Sequence, residues 1–243
     1  MSARLLALDS STDVLAVAVT DGQRDWVREV PGGASASSQI IGLALDGLAA
    51  CDLQVSALDA VAFAAGPGAF TGLRCACAVA QGLAFAADKP VLAIDSLMIV
   101  AEAARPQLGS AAGDLWVAMD ARMDEVYAAH YRLEGDRWHA VGAPALYTLA
   151  ALAERWSVAG PSAVAGNAIA AFGGRLPARG ALIAGPTAAR AAALLALARQ
   201  AHARGDAVDA AHALPLYLRD KVALTTAERE AVRRAAAANG QRS

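Results

Sequence analysis

Three places in this chain carry residue types that could do chemistry, and each suggests a different reaction. Asp9-Ser10-Ser11-Thr12 follows the apolar run Arg4 to Leu8. Three hydroxyls at a strand end can donate to phosphate oxygens, and an aspartate among them can hold magnesium through water. The glycine that would let backbone close on a phosphate is missing from this hairpin. The same four residues also make an ordinary turn capped by Asp and Ser side chains. That structural reading is favoured over weak nucleotide binding.

The second place is Gly66-Pro-Gly-Ala-Phe-Thr-Gly72, between an apolar strand ending at Ala65 and a helix for which Thr71 is a good cap. Free N–H groups at a helix start attract anions. No Lys or His stands there to act on one, so the glycines are read as letting the strand turn sharply into a tightly packed helix. The third place is Asp120, Arg122, Asp124 and Glu125. An acidic pair can do acid–base work, but a turn with solvated charges is the simpler reading. His130, His139, His202 and His212 share no i, i+4 spacing and form no HxxxH or HExxH pattern. No metal site is expected, and no Ser has His and Asp partners near it in sequence.

The elements that must hold these residues follow from periodicity. Arg4 to Leu8, Val14 to Thr20 and Asp25 to Val30 read as a three-stranded antiparallel meander turned at Asp21-Gly22. Pro31-Gly32-Gly33 breaks it, and Ser35 to Ser38 caps a helix to about Ala50. A strand around Leu58 to Ala64, a helix over residues 71 to 87, a strand from Val91 to Ile94 and a helix from Asp95-Ser96 to about Ala104 complete the order βββαβαβα. Arg105-Pro106 through Gly113 reads as loop and marks a lobe boundary. The pattern then restarts: Leu115 to Asp120, Glu125 to Leu133, the turn Glu134-Gly135-Asp136, and Trp138 to Val141. A helix near Thr148 to Trp156, a strand near Ala163, the turn Gly166-Asn167 and a helix from about Thr187 to Arg204 follow. Two βββα beginnings predict a duplicated α/β fold, with lobes over 1–105 and 106–222. A charged helical tail over 223–243 opens with the capping box Thr225 to Glu228.

Bulk composition narrows the function. The 243 residues carry a net charge of −2, so no basic footprint grips nucleic acid by itself. The chain is 56% hydrophobic with mean hydropathy +0.37. No run of about 18 or more apolar residues suits a membrane span, and the apolar run at the N-terminus is too short for a secretory signal. A soluble cytoplasmic protein is expected. Its three cysteines read as buried free thiols in a reducing compartment.

The helix over 71–87 is apolar almost all round, interrupted by Thr71, Arg74 and Gln81, so it needs more than one partner surface. Gly72, Ala76, Ala80 and Ala84 make a face of small residues; Val79, Leu83 and Ala86 make a larger one. One face is expected on the sheet and the other against a partner helix, with the small face assigned to the partner.

Leu6-Ala-Leu-Asp-Ser-Ser-Thr12, Gly66-Pro-Gly-Ala-Phe-Thr-Gly-Leu-Arg74, Asp120-Ala-Arg-Met-Asp-Glu-Val-Tyr127, Ala165-Gly-Asn167 and Pro215-Leu-Tyr-Leu-Arg219, in this order, resemble the TsaB (YeaZ) family of bacterial tRNA threonylcarbamoyladenosine biosynthesis subunits. The resemblance implies a two-lobed actin/Hsp70/sugar-kinase-like fold, in whose wider superfamily the Asp9 to Thr12 hairpin stands where ATP phosphate binds. It implies a non-catalytic scaffold pairing with a catalytic TsaD-like subunit and a TsaE-like ATPase, or with a second copy when alone, and meeting tRNA only through that complex. The interface it implies is Gln39, Leu43, Gly72, Leu73, Ala76, Ala80 and Leu83. It implies no tightly bound cofactor, with ATP or ADP a candidate only in the assembled complex. The chain departs from the family in reading Ser35-Ala36-Ser37-Ser38 where a His-Ser is common. The alternatives are a small ATPase or kinase of the same fold, which needs a glycine-bearing phosphate hairpin, and a metallopeptidase, which needs a histidine pair.

Overall fold

The computed structural model describes residues 3–109, 113–185 and 189–219. In its first half, β1 (Leu5–Asp9), β2 (Val14–Thr20) and β3 (Asp25–Pro31) form the antiparallel meander. After α1 (Ala36–Ala50), β4 (Ala60–Gly66) pairs parallel to β1. After α2 (Phe70–Ala86), β5 (Val91–Asp95) pairs parallel to β4, and α3 (Ser96–Leu108) follows. The sheet order is β3-β2-β1-β4-β5.

The second half repeats this. It runs β6 (Asp114–Asp120), β7 (Glu125–Glu134), β8 (Arg137–Thr148), α4 (Leu149–Val158), β9 (Ala163–Ala165), α5 (Ala168–Phe172), β10 (Leu182–Ala184) and α6 (Arg190–Arg204). Its sheet, read from the far edge, is β8-β7-β6-β9-β10, with the same parallel and antiparallel pairings. The duplication reaches single residues. Gly66 at the end of β4 and Gly166 just after β9 both take positive φ, at +126° and +112°. The expected two-lobed α/β fold is what the chain adopts.

Alternation along the strands decides the layers, because successive side chains point to opposite faces. In the first sheet Leu6, Leu8, Leu15, Val17, Val61 and Phe63 face α1 and α2. Leu5, Ala7, Ala16, Ala18, Ala60, Ala62 and Ala64 face the other way, and this mostly alanine surface admits a helix at close range. The helix there is α6, from the second half. In return α3, from the first half, lies against β6, β7, β9 and β10 as well as its own sheet and α6. Leu115, Val117, Tyr131 and Ala165 belong to that shared middle layer, while Trp116, Val126 and Val164 pack beneath α4 and α5. The stack is helices, sheet, exchanged helices, sheet, helices.

Several boundaries differ from the sequence reading. Arg105 and Pro106 lie inside α3, which continues to Leu108 because that leucine is buried in the middle layer. Thr71 is not the α2 cap. The helix begins at Phe70 after Ala69, whose N–H is held by the Ser11 carbonyl at 2.8 Å. β8 extends to Thr148, and the short α5 and β10 had no periodic signal to reveal them. Thr187 and the proposed tail, including Thr225 to Glu228, lie outside the described residues.

Candidate functional site: the interlobe cleft and the open helix face

A cleft of about 280 Å³ opens between the two sheets at the ends of β1, β4 and β6. The Ser11–Asp13 turn and Gly68–Phe70 line it from one lobe, Met119–Arg122 and Asn167 from the other, and Leu216–Arg219 from the end of the described chain. Asp9 stands behind its wall, fully buried. Its Oδ2 accepts from Arg190 Nε at 2.9 Å and Nη2 at 2.6 Å, and its Oδ1 accepts from the Ser11 N–H at 2.8 Å. Arg190 also donates to Ser11 Oγ at 3.2 Å. Three of the roughly four acceptor positions of this carboxylate are taken, and the guanidinium already balances its charge.

The rest of the hairpin is equally occupied. Ser10 Oγ donates to the Gly72 carbonyl at 2.8 Å, and Thr12 Oγ1 accepts from the Val14 N–H at 3.2 Å. Asp9, Ser10 and Ser11 are buried. Of the four residues proposed from sequence for weak nucleotide binding, Ser11 and Thr12 line the cleft, while Asp9 and Ser10 do not. The structural turn is the arrangement the hydrogen bonds describe.

The glycines explain why the hairpin fits. A Cβ on Gly72 would lie 1.7 Å from the Ser10 carbonyl oxygen, and one on Gly68 would lie 2.7 Å from that of Ser11. Backbone of α2 therefore touches backbone of the hairpin, which only glycine permits. Arg190 had no sequence signal, since nothing local links it to Asp9.

Across the cleft, Arg122, Met123 and Asp124 take left-handed backbone in succession, at φ +65°, +58° and +56°. For non-glycine residues this costs roughly 1–2 kcal/mol each and persists only where surroundings enforce it. Asp120 Oδ1 accepts from Arg122 N–H at 2.7 Å, and Asp124 offers its carbonyl to Leu149 N–H at 2.9 Å. Asn167 Oδ1 takes the Asp120 N–H at 2.8 Å. Glu125 is paired with Arg219 and Asp124 with Arg175. These charges are thus spent on local pairing. Among the described residues, no three His, Cys, Asp or Glu side chains gather as a metal-binding group.

The second candidate surface is the outer face of α1 and α2. The small face of α2, assigned from sequence to a partner helix, packs on the sheet instead, and Val79 and Leu83 of the larger face are half-buried beside it. Gly72, Leu73, Ala76, Ala80 and Ala84 are buried against the sheet. The large side chains of that sheet, such as Phe63 and Leu8, demand small residues opposite them. Leu83 and Leu43 are half-buried at the edge of the same cluster, and Gln39 reaches back to Ser35 Oγ at 2.8 Å at the start of α1. What stays open is the stripe Thr71, Arg74, Ala78, Gly82 and Phe85, beside Ile41, Gly42, Leu45 and Ala49 of α1. Phe85 is 78% exposed, and Ile41 and Leu45 about half. A Cβ built on Gly42 or Gly82 would meet nothing within 4 Å.

A family model described as TsaD, tRNA N6-adenosine threonylcarbamoyltransferase, matches residues 30–235. The Escherichia coli tRNA threonylcarbamoyladenosine biosynthesis protein TsaB is 32% identical over 229 residues, covering 90% of this chain and 96% of its own length. The chain belongs to the TsaB (YeaZ) family. The Haemophilus influenzae TsaB is 40% identical over 124 residues, 51% of each chain. A solved structure of YeaZ from Pseudomonas aeruginosa is 36% identical, with a TM-score of 0.78, covering 89% of this chain and all of its own. A second structure, described as an uncharacterized protein similar to peptidase YeaZ from that organism, gives a TM-score of 0.79 at the same identity and coverage. No described helix is long and apolar enough to cross a membrane.

Proposed function

We propose that this chain is a non-catalytic subunit of the machinery that makes tRNA threonylcarbamoyladenosine, and that it works by pairing, through α1 and α2, with a catalytic subunit of the TsaD type. The observation that carries the pairing is the open helix face. Ile41, Leu45 and Phe85 are large apolar side chains left in water, and Gly42 and Gly82 sit among them in helix interiors. An exposed glycine there weakens a helix by about 0.5–1 kcal/mol relative to alanine. Nothing among the described residues needs it, whereas a helix of another subunit approaching closely would. The pathway itself is supported by the family membership.

A scaffold role agrees with the state of Asp9, whose oxygens are already engaged. On this reading no cofactor is held tightly, and ATP or ADP enters only with the assembled complex. A TsaE-like ATPase joins the pair, tRNA is met through it, and a second copy takes the same face when the partner is absent. The setting is the cytoplasm.

The deciding experiment mixes the full chain with the TsaD-type subunit of the same genome and follows co-elution and tRNA modification. Ala78→Arg and Gly82→Arg should leave circular dichroism unchanged and melting no lower than wild type while abolishing pairing and modification. Undiminished pairing by both folded variants would place the interface elsewhere. Robust ATP turnover by the isolated chain, lost on changing Asp9, would replace the scaffold by a kinase-like enzyme.

A further inference from the structure

The segment after α6 takes an unusual route. It bridges to β5 through Val208 and Val91, with N–H to carbonyl bonds of 2.8 and 2.9 Å in the two directions. It then runs along α2, where Gln81 Nε2 donates to the carbonyls of Ala210 and Ala213 at 3.0 Å each. From Pro215 to Arg219 it leaves that lobe and crosses the mouth of the cleft to the other.

Three contacts fix the crossing. At its root the Leu216 N–H donates to the Ala65 carbonyl at 2.7 Å. A Cβ on Gly66 would lie 2.5 Å from the Leu216 carbonyl oxygen, so this glycine is the seat of the strap. Midway, Tyr217 packs at a 42° tilt against Phe70 with ring centres 5.1 Å apart, and its hydroxyl accepts from Arg74 Nε at 3.0 Å. The Arg74 guanidinium lies 4.0 Å over the Phe70 ring. At the far end Arg219 donates to the Ala121 carbonyl at 2.9 Å and to the Glu125 carboxylate, at the two ends of the β6–β7 turn of the other lobe.

This attachment is strong in direction and poor in buried surface. Leu214, Leu216 and Tyr217 remain 73%, 42% and 40% exposed. The strap has no helix or strand of its own. Segments held by a few polar contacts and little apolar burial open first when a protein fluctuates. The catch itself grips the strained left-handed turn at Arg122–Asp124.

We propose that Pro215–Arg219 is a releasable latch that sets the opening of the interlobe cleft. Arg219 is its catch on Glu125, and Arg74 is the point where the open face of α2 communicates with it. Arg74 stands on the same exposed stripe as Ala78 and Gly82. A subunit seated on that stripe competes for its guanidinium and frees Tyr217. The second half of this inference rests on the pairing proposed above; the first does not.

Hydrogen exchange of the full chain, read by mass spectrometry, tests it without a partner. Arg219→Ala and Glu125→Gln should each raise exchange about tenfold in residues 65–71, 120–125 and 215–219, with the two sheets unchanged. Arg74→Gln should loosen 215–219 to a similar degree while leaving 120–125 less affected. Unaltered exchange in both Arg219→Ala and Glu125→Gln overturns the latch. So does a uniform rise through both sheets, which would make the contact part of the global fold. Adding the TsaD-type subunit to wild type should reproduce the Arg74→Gln pattern. If pairing occurs and that pattern does not, the link through α2 is refuted while the pairing stands.

Discussion

Arg190 Nη2 lies 2.6 Å from Oδ2 of Asp9, a residue 181 positions earlier in the chain, and both side chains are closed to solvent. The pair ties the start of α6 to the end of β1, and Glu29 assists by accepting the Ala191 N–H at 2.9 Å. Replacing Arg190 by Ala leaves a buried carboxylate without its cation, which should destabilise the protein by about 3–5 kcal/mol in urea unfolding. Adding Asp9→Asn to Arg190→Met should recover a large part of that loss. Additive damage in the double variant would mean the two residues act separately.

Gly72 and Gly82 occupy the same helix with opposite surroundings. Gly72→Ala drives a Cβ into the Ser10 backbone and should lower stability by about 3 kcal/mol or more. Gly82→Ala meets open space and should raise monomer stability by about 0.5–1 kcal/mol. Chemical denaturation of both variants checks the contrast. Equal effects would remove the distinction between a seat for the hairpin and an open face.

Ala76→Arg separates core from interface. Ala76 has no exposed surface, so an arginine there has no route to water and should unfold the lobe. Circular dichroism reads the result directly. A folded, monomeric Ala76→Arg protein would return this face to the partner.

Asp95 caps α3 by accepting from the N–H groups of Leu97 and Met98, and it takes the Tyr131 hydroxyl at 2.5 Å. Burial pushes its carboxyl above the ordinary value of 3.8, with those donors pulling the other way. The native state then holds this proton more tightly than the unfolded chain does. The stabilising contribution is full below 3.8 and fades as pH rises through the raised value. Asp95→Asn removes the slope, so its stability relative to wild type should improve from about pH 4 toward neutrality. A pH-independent difference would show that Asp95 titrates normally.

Cys51 and Cys77 are buried and Cys75 is half-buried, and burial pushes all three thiols up. Since the thiolate is the reactive form, maleimide labelling at neutral pH should be slow in the native protein. Three thiols should react at once in denaturant. Rapid native labelling of Cys77 would contradict the packing of α2.

Much of this architecture was legible because strands of Leu, Val and Ala alternate cleanly between Asp21-Gly22, Glu134-Gly135-Asp136 and similar turns. The β-β-β-α opening could be read twice for that reason, while α5 and β10 of the second half stayed hidden. The orientation of α2 could not. An apolar helix with a small face and a larger one fits a sheet either way, and the choice was made by Phe63 and Leu8 on another element. Pro106 looked like a stop, yet burial of Leu108 carries α3 past it. The Asp9–Arg190 pair was invisible because its halves meet only after both sheets have formed.

The exchange of α3 and α6 between the sheets has a consequence for synthesis. The ribosome releases the first sheet well before residues 190–204 exist, and the alanine-lined side of that sheet is covered by α6. Until then the nascent half holds a finished outer layer and an inner one covered only in part, by α3. Its core is therefore shared with the second half, unlike that of an early domain that closes on its own residues. The inner side of the first sheet is completed only when α6 joins it, long after the last strand of that sheet has been made.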